Sequence, residues 1–237
     1  MNGTNWNVTQ KRFVSFFDIL GFKDMVFSHT HDQVLTKLTA LKSTLSFLEL
    51  ASNSPGLKEL KIDDDQTRSV TFSDSIMFFS KSDTENDAIK IIYDSYALIR
   101  KATENDIPIK GAIAFGQITL NFNKSIFFGK PIIEAYLLHE ELQLMTAILH
   151  HSFEAKLQNF NGDFWAFVRN SIITEYRVIL KSARVSHTIM RPHDTNYLWI
   201  QIQSLKKQLL TVSGRGRLYI DNTLDFLLSL DNRLNKP

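Results

Sequence analysis

Apolar residues recur along this chain with two different periods, and the switches between them outline the elements. Residues 12–20 (RFVSFFDIL) form an aromatic and aliphatic run closed by Gly21, the pattern of a buried strand leading into a tight turn. Over residues 32–51 the period lengthens: Val34, Leu38, Leu41, Leu45 and Leu48 fall at three- and four-residue steps, one stripe of an amphipathic helix that the polar stretch 52–56 ends. Residues 68–80 (RSVTFSDSIMFFS) read as two β-rich runs meeting at Ser73-Asp74, a hairpin with Asp74 near its tip. Asp83 or Thr84 then caps a second helix to about Thr103, with Ala88, Ile92, Tyr96 and Ile99 as its buried stripe, before Asn105 and Pro108 break it. A strand over 109–120 follows. Residues 125–129 lead to Pro131, which suits the first turn of a helix running to about Leu142, and 144–149 read as a further short strand. The order strand, helix, hairpin, helix, strand, helix, strand predicts an α+β sandwich with helices covering one sheet face. Beyond Phe153 the pattern gives a helix, a β-rich stretch 172–190, a leucine-rich helix over about 199–212 and a helical tail over 219–230. No repeat or low-complexity linker divides the chain. A single domain over 1–237 is therefore expected, with its motif-bearing core at about 12–150 and a C-terminal β/α part at about 151–237.

Composition narrows the class. At 237 residues, 43% hydrophobic and 22% charged, the chain can bury the core of one large domain. It has no cysteine, which excludes disulfides and thiolate zinc sites, suits a reducing compartment and gives a cytoplasmic protein as the expectation. No basic and apolar leader opens it and no run approaches about 18 apolar residues, so membrane insertion is not expected. A net charge of +2, with basic clusters only at Lys206-Lys207 and at 215–217, is too weak to imply nucleic acid as a partner.

Two carboxylates break the apolar pattern. Asp18 ends the first strand and Asp74 sits at the hairpin tip, 56 positions later. Carboxylates converging from separate strands can bridge a pair of divalent cations about 3.5–4 Å apart, the arrangement that activates an attacking hydroxyl and stabilises a leaving oxygen in phosphoryl transfer. Such all-oxygen ligation fits magnesium or manganese. The turn Leu20-Gly21-Phe22 precedes a short helix whose first N–H groups can face phosphate oxygens. Each residue also has a plainer reading. Aspartate near a strand end is most often a turn former or cap, and Ser-Asp most often a hairpin turn.

Four segments in order resemble one known family. Phe17-Asp18-Ile19-Leu20-Gly21-Phe22 is similar to the first metal-binding motif of class III nucleotidyl cyclases, and Phe72-Ser73-Asp74 to the second, normally Gly-Asp. Residues 110–116 (KGAIAFG) resemble the segment that begins with a phosphate-contacting arginine, and 129–138 (GKPIIEAYLL) the segment after it. The resemblance covers about 12–150 and implies a ferredoxin-like palm sheet with covering helices plus C-terminal helical elements. It also implies two metals, Mn or Mg, held by Asp18, Asp74 and the Ile19 carbonyl, with Lys110 as the basic group. Departures are equally plain. Val70 stands where adenylate cyclases carry an adenine-reading lysine, Ile126 where its acidic partner is expected, and Ile133 and Leu137 where the asparagine and arginine of ribose and transition-state binding are expected. One branch of this superfamily tolerates such changes, the pyrimidine cyclases of bacterial Pycsar antiphage systems, which this compact domain resembles. That resemblance implies conversion of UTP, or alternatively CTP, to a cyclic nucleotide that activates a separate effector protein, in a homodimer with two sites.

Other residues are open. On regular alternation Arg68 shares a side with Asp74 and can reach a base carbonyl or phosphate, though an edge arginine is more often solvated. Phe16 shares a face with Asp18 and can stack on a pyrimidine, though most such phenylalanines are core. Glu134, His139 and Glu140 form a polar helix stripe, and His150-His151 lacks a matching ligand pattern. The rival reading is a catalytically inactive cyclase-like module that dimerises or senses nucleotide; a purine cyclase is the third.

Overall fold

The structure, a computed structural model, describes residues 6–42, 66–192 and 195–234. Strands β1 (Thr9–Ile19), β2 (Thr67–Phe72), β3 (Ser75–Ser80) and β4 (Ile109–Asn121) pair antiparallel in the order β2-β3-β1-β4. Helices α1 (Phe22–Ser28) and α2 (His31–Lys42) lie between β1 and β2, and α3 (Glu85–Glu104) between β3 and β4. This is the split βαββαβ arrangement of a ferredoxin-like sheet. Beyond β4 the sheet continues through β6 (Ala147–Leu149), which is parallel to it, then β8 (Arg184–Met190) and β7 (Ile173–Ile179), while β5 (Ile126–Gly129) folds back onto the end of β4. The remaining helices among the described residues are α4 (Lys130–Glu141), α5 (His151–Leu157), α6 (Asp163–Ser171), α7 (Thr195–Gln208) and α8 (Gly214–Leu234).

The α+β class and the strand and helix order hold, but helices cover both faces of the sheet rather than one. Phe13, Phe17 and Ile19 of β1 and Ile113 of β4 pack with α3, α5 and α6. The alternate residues Phe16, Ala112 and Ala114 pack with Ala135 of α4 and with α7 and α8. Only a strand apolar on both sides can serve two layers, and β1, with Phe13 and Phe17 on one side and Val14 and Phe16 on the other, has that composition. The stripe expected over 32–51 is met as far as α2, where Leu41 is buried and Leu38 packs beside it; Leu45 and Leu48 lie outside the described residues.

Local chemistry fixes the elements that carry the site. The Thr84 hydroxyl accepts from the Asp87 N–H, and the Asp87 carboxylate accepts from the Thr84 N–H, a reciprocal box that starts α3. Gly21 takes a left-handed φ of 70° to turn the chain from β1 into α1. At Gly111 a Cβ would meet Phe17 Cδ1 at 2.4 Å and the Phe16 carbonyl oxygen at 2.7 Å, so β1 and β4 lie this close only because the side chain is missing.

Candidate active site

The end of β1 is held from both sides. Asp18 lies opposite Ser75 of β3 and opposite Lys110 of β4, so the pleat turns Asp18 and Lys110 toward the same face. One residue on, the Ile19 N–H donates to the Asp74 carbonyl at 3.1 Å, and the Leu20 N–H donates to the Pro108 carbonyl at 2.9 Å. The first of these bonds ties the hairpin tip, where Ser73 adopts a φ of 56°, directly to the strand that carries Asp18.

The two aspartates therefore meet. Their carboxyl groups are in hydrogen-bond contact, and the half-buried Asp18 has its pKa pushed up to about 6 by burial first and by the Asp74 charge second, against the opposing pull of Lys110. Two oxygen acids crowded together at partial burial are costly unless a proton or a cation intervenes. With the Ile19 carbonyl, one residue along β1, they would offer an all-oxygen donor set, which fits a hard divalent cation. Among the described residues no group of three or more histidine and carboxylate side chains is arranged to hold a metal ion. A cation here would complete its shell from backbone, water or a bound phosphate, as Mg²⁺ commonly does.

Lys110 is 3% exposed. Its ammonium donates to the Tyr219 hydroxyl at 3.2 Å and makes long contacts to the carbonyls of Glu140 at 3.4 Å and Leu142 at 3.5 Å. It thus sits at the carbonyl end of α4, where a helix dipole favours a cation. Burial lowers its pKa, while the charges of Glu140 and Asp18 pull it back up. Tyr219, from the first turns of α8, was hidden to sequence reasoning. The tail reads as helical, but nothing in its pattern marks a residue that reaches a strand 109 positions away.

The other expected residues divide. Gly21 and Phe22 stand at the start of α1, beside the carboxylates in sequence, and that start has no side-chain cap. Phe16 is buried, its ring 4.7 Å from that of His139 and 5.5 Å from that of Tyr136, so α4 covers it. Arg68 pairs with Phe79, four positions along β3 from the residue opposite Asp18, or about 13 Å at the usual rise per residue. Its guanidinium lies over the rings of Trp6 at 4.7 Å and Phe122 at 4.9 Å, and the structure does not bring it to the carboxylates. His139 is no member of a solvated stripe: it is 1% exposed, and burial pushes its pKa down to about 4. Ile133 and Leu137 are exposed, one turn apart on α4.

No family model matches the sequence, and no curated protein matches it. Among solved structures the chain is similar to the catalytic core of a rhodopsin-guanylyl cyclase with converted specificity, in complex with ATPαS, at 10% identity and a TM-score of 0.50, over 76% of this chain and 93% of that one. A class III adenylyl cyclase-like ATP-binding protein from Pseudomonas aeruginosa matches at 16% identity and a TM-score of 0.35, over 66% of this chain and 37% of that one. The first likeness shows the fold: the described chain has the architecture of a class III cyclase catalytic core.

Proposed function

We propose that this protein is a metal-dependent pyrimidine nucleotide cyclase that converts UTP to 3′,5′-cyclic UMP and pyrophosphate. The observation that carries the reading is the meeting of Asp18 and Asp74 at the end of β1, a pair of crowded carboxylates that a cation or a proton relieves. The shared fold supports it. Divalent cations, when bound, supply charge neutralisation of the triphosphate and a lowered pKa for the attacking hydroxyl. Asp18, Asp74 and the Ile19 carbonyl would hold them. The turn at Gly21 and the start of α1 at Phe22 face the phosphates, and Lys110 keeps positive charge beside Asp18.

In the reaction the ribose 3′-oxygen forms a bond to the α-phosphorus, the bond from that phosphorus to the oxygen bridging to the β-phosphate breaks, pyrophosphate carries off the electron pair, and the 3′-hydroxyl proton leaves to solvent. The chain's contribution is positioning and electrostatic stabilisation of the developing charge. A pyrimidine is preferred because Val70 and Ile126 occupy the positions where the purine-reading side chains of the resembled family stand. The same resemblance favours UTP over CTP and makes the product a second messenger for a separate effector in antiphage defence. It also favours a homodimer, to which the exposed Ile133 and Leu137 give an apolar surface.

Those two residues also favour a second reading, a nucleotide-binding module without turnover, since neither can orient a ribose nor neutralise a phosphate. Incubation with each ribonucleoside triphosphate and Mn²⁺, with products separated by liquid chromatography and identified by mass spectrometry, decides between them. Cyclic UMP is expected, and its loss in Asp18→Ala and Asp74→Ala variants that remain folded ties it to the carboxylates. Cyclic CMP alone would change the base. A purine cyclic nucleotide would overturn the pyrimidine assignment, and triphosphate binding without product would select the module.

A further inference from the structure

A cavity of about 360 Å³ lies between the end of α3, the loop into β4 and one side of α7. None of Asp18, Asp74 and Lys110 lines it, although Pro108 and Ile109, which do, hold Leu20 and Ile19 at the end of β1. Part of its wall is apolar: Ile107, Ile109 and Leu205 are buried and lie with Pro108, Met145 and Ile200, while polar residues from the end of α3, the loop and α7 line the rest. Its volume is within the range of cavities that take small molecules.

Two polar groups in this lining stand out. The Gln201 side chain is 6% exposed, and its Oε1 finds no hydrogen-bond partner among the described residues. Buried acceptors are nearly always paired, so an unpaired one on a cavity wall points to a donor from outside the chain. At the cavity rim the exposed Asp106, held in a left-handed conformation with a φ of 52°, accepts from the Ser204 hydroxyl at 3.1 Å and makes no ion pair among the described residues. Glu104, also in the lining, is already paired with Arg100 and Lys101. The cavity thus offers an apolar floor, one buried acceptor and, besides the paired Glu104, one anionic rim group.

We propose that this cavity binds a small amine with an apolar, ring-sized body: its N–H donor satisfies Gln201, its ammonium group sits beside Asp106, and its body packs on Ile107, Ile109 and Leu205. This inference rests on the cavity alone and stands or falls apart from the cyclase reading.

Tryptamine, which carries a ring N–H and an ammonium group on one aromatic body, tests it by calorimetric titration of the full chain. Saturable one-site binding is expected with a dissociation constant of about 1 mM or tighter. Indole-3-propionic acid, with the charge reversed, and 2-(1-naphthyl)ethylamine, without the ring N–H, are each expected to bind at least about tenfold more weakly. Gln201→Leu removes the unpaired acceptor at nearly constant volume, so the variant is expected to fold and to lose the preference for the ring N–H. Asp106→Asn, a substitution that tolerates the left-handed backbone, is expected to lose the preference for the amine. Absence of saturable binding, or tryptamine binding that neither variant nor either analogue alters, would overturn the proposal.

Discussion

Asp18 gives up hydration at the end of β1 and faces a second carboxylate, and its pKa rises from 3.8 to about 6 as a result. A carboxylic acid whose folded pKa lies above its unfolded value holds its proton more tightly in the fold. Its contribution is therefore favourable at low pH and is lost as pH rises from about 4 to about 6. Above that window the metal-free protein carries a penalty of about 1–2 kcal/mol once solvent screening of a half-buried group is counted. Asp18→Asn removes the penalty. The variant is expected to unfold at a higher temperature than the wild type in chelator at neutral pH, to lose that advantage below about pH 4, and to make no cyclic nucleotide. The same shift governs cations: Mn²⁺ should raise the wild-type unfolding temperature well above pH 6 and progressively less below it, as protons compete for the oxygens. Thermal unfolding across pH, with and without Mn²⁺, reads both effects, and a variant less stable than wild type at neutral pH would contradict the crowding argument.

At the scale of elements, the approach of β1 to β4 places Asp18 opposite Lys110, and Gly111 permits it. Gly111→Ala drives a methyl group into the Phe17 ring and the Phe16 carbonyl, the latter being backbone that cannot swing aside. A loss of about 1–3 kcal/mol in urea unfolding is expected, the usual cost of overpacking, together with reduced product formation from a displaced Asp18. How far such elements were legible follows from their period. The hairpin, α3 and β4 carry long patterns with caps and turns, and their predicted bounds match within a few residues. The β5 strand has only four residues, too few for an alternation to register, and it owes its existence to pairing with β4. Helices on both faces were implied by the apolar residues on both sides of β1, a signal that the element order alone passes over. The convergence of Asp18 with Asp74 was legible because each interrupts an apolar pattern. The burial of His139 and the reach of Tyr219 depend on which face of a helix meets the sheet, which spacing alone leaves open.

Across the whole molecule, α4 has one side on the sheet and another in solvent that is apolar. Ala135 is fully buried, whereas Ile133 and Leu137 are 59% and 58% exposed. Scattered apolar residues are ordinary on a surface, but two on adjacent turns, with the half-exposed Tyr136 between them, make a stripe of the kind that a second surface covers. If two copies of the chain pack through α4, the stripe is buried. Sedimentation of the wild type should then give twice the chain mass, and Leu137→Lys should give the monomer, since a desolvated lysine at the centre of an apolar contact is strongly unfavourable. Because Leu137 is exposed within one chain, the substitution should leave monomer stability within about 0.5 kcal/mol of wild type. Loss of cyclic nucleotide formation in that stable monomer would mean that the site is completed by the partner. A wild type that sediments as a monomer and turns over UTP at full rate would instead place every group the reaction needs within one chain, and the α4 stripe would have to meet something else.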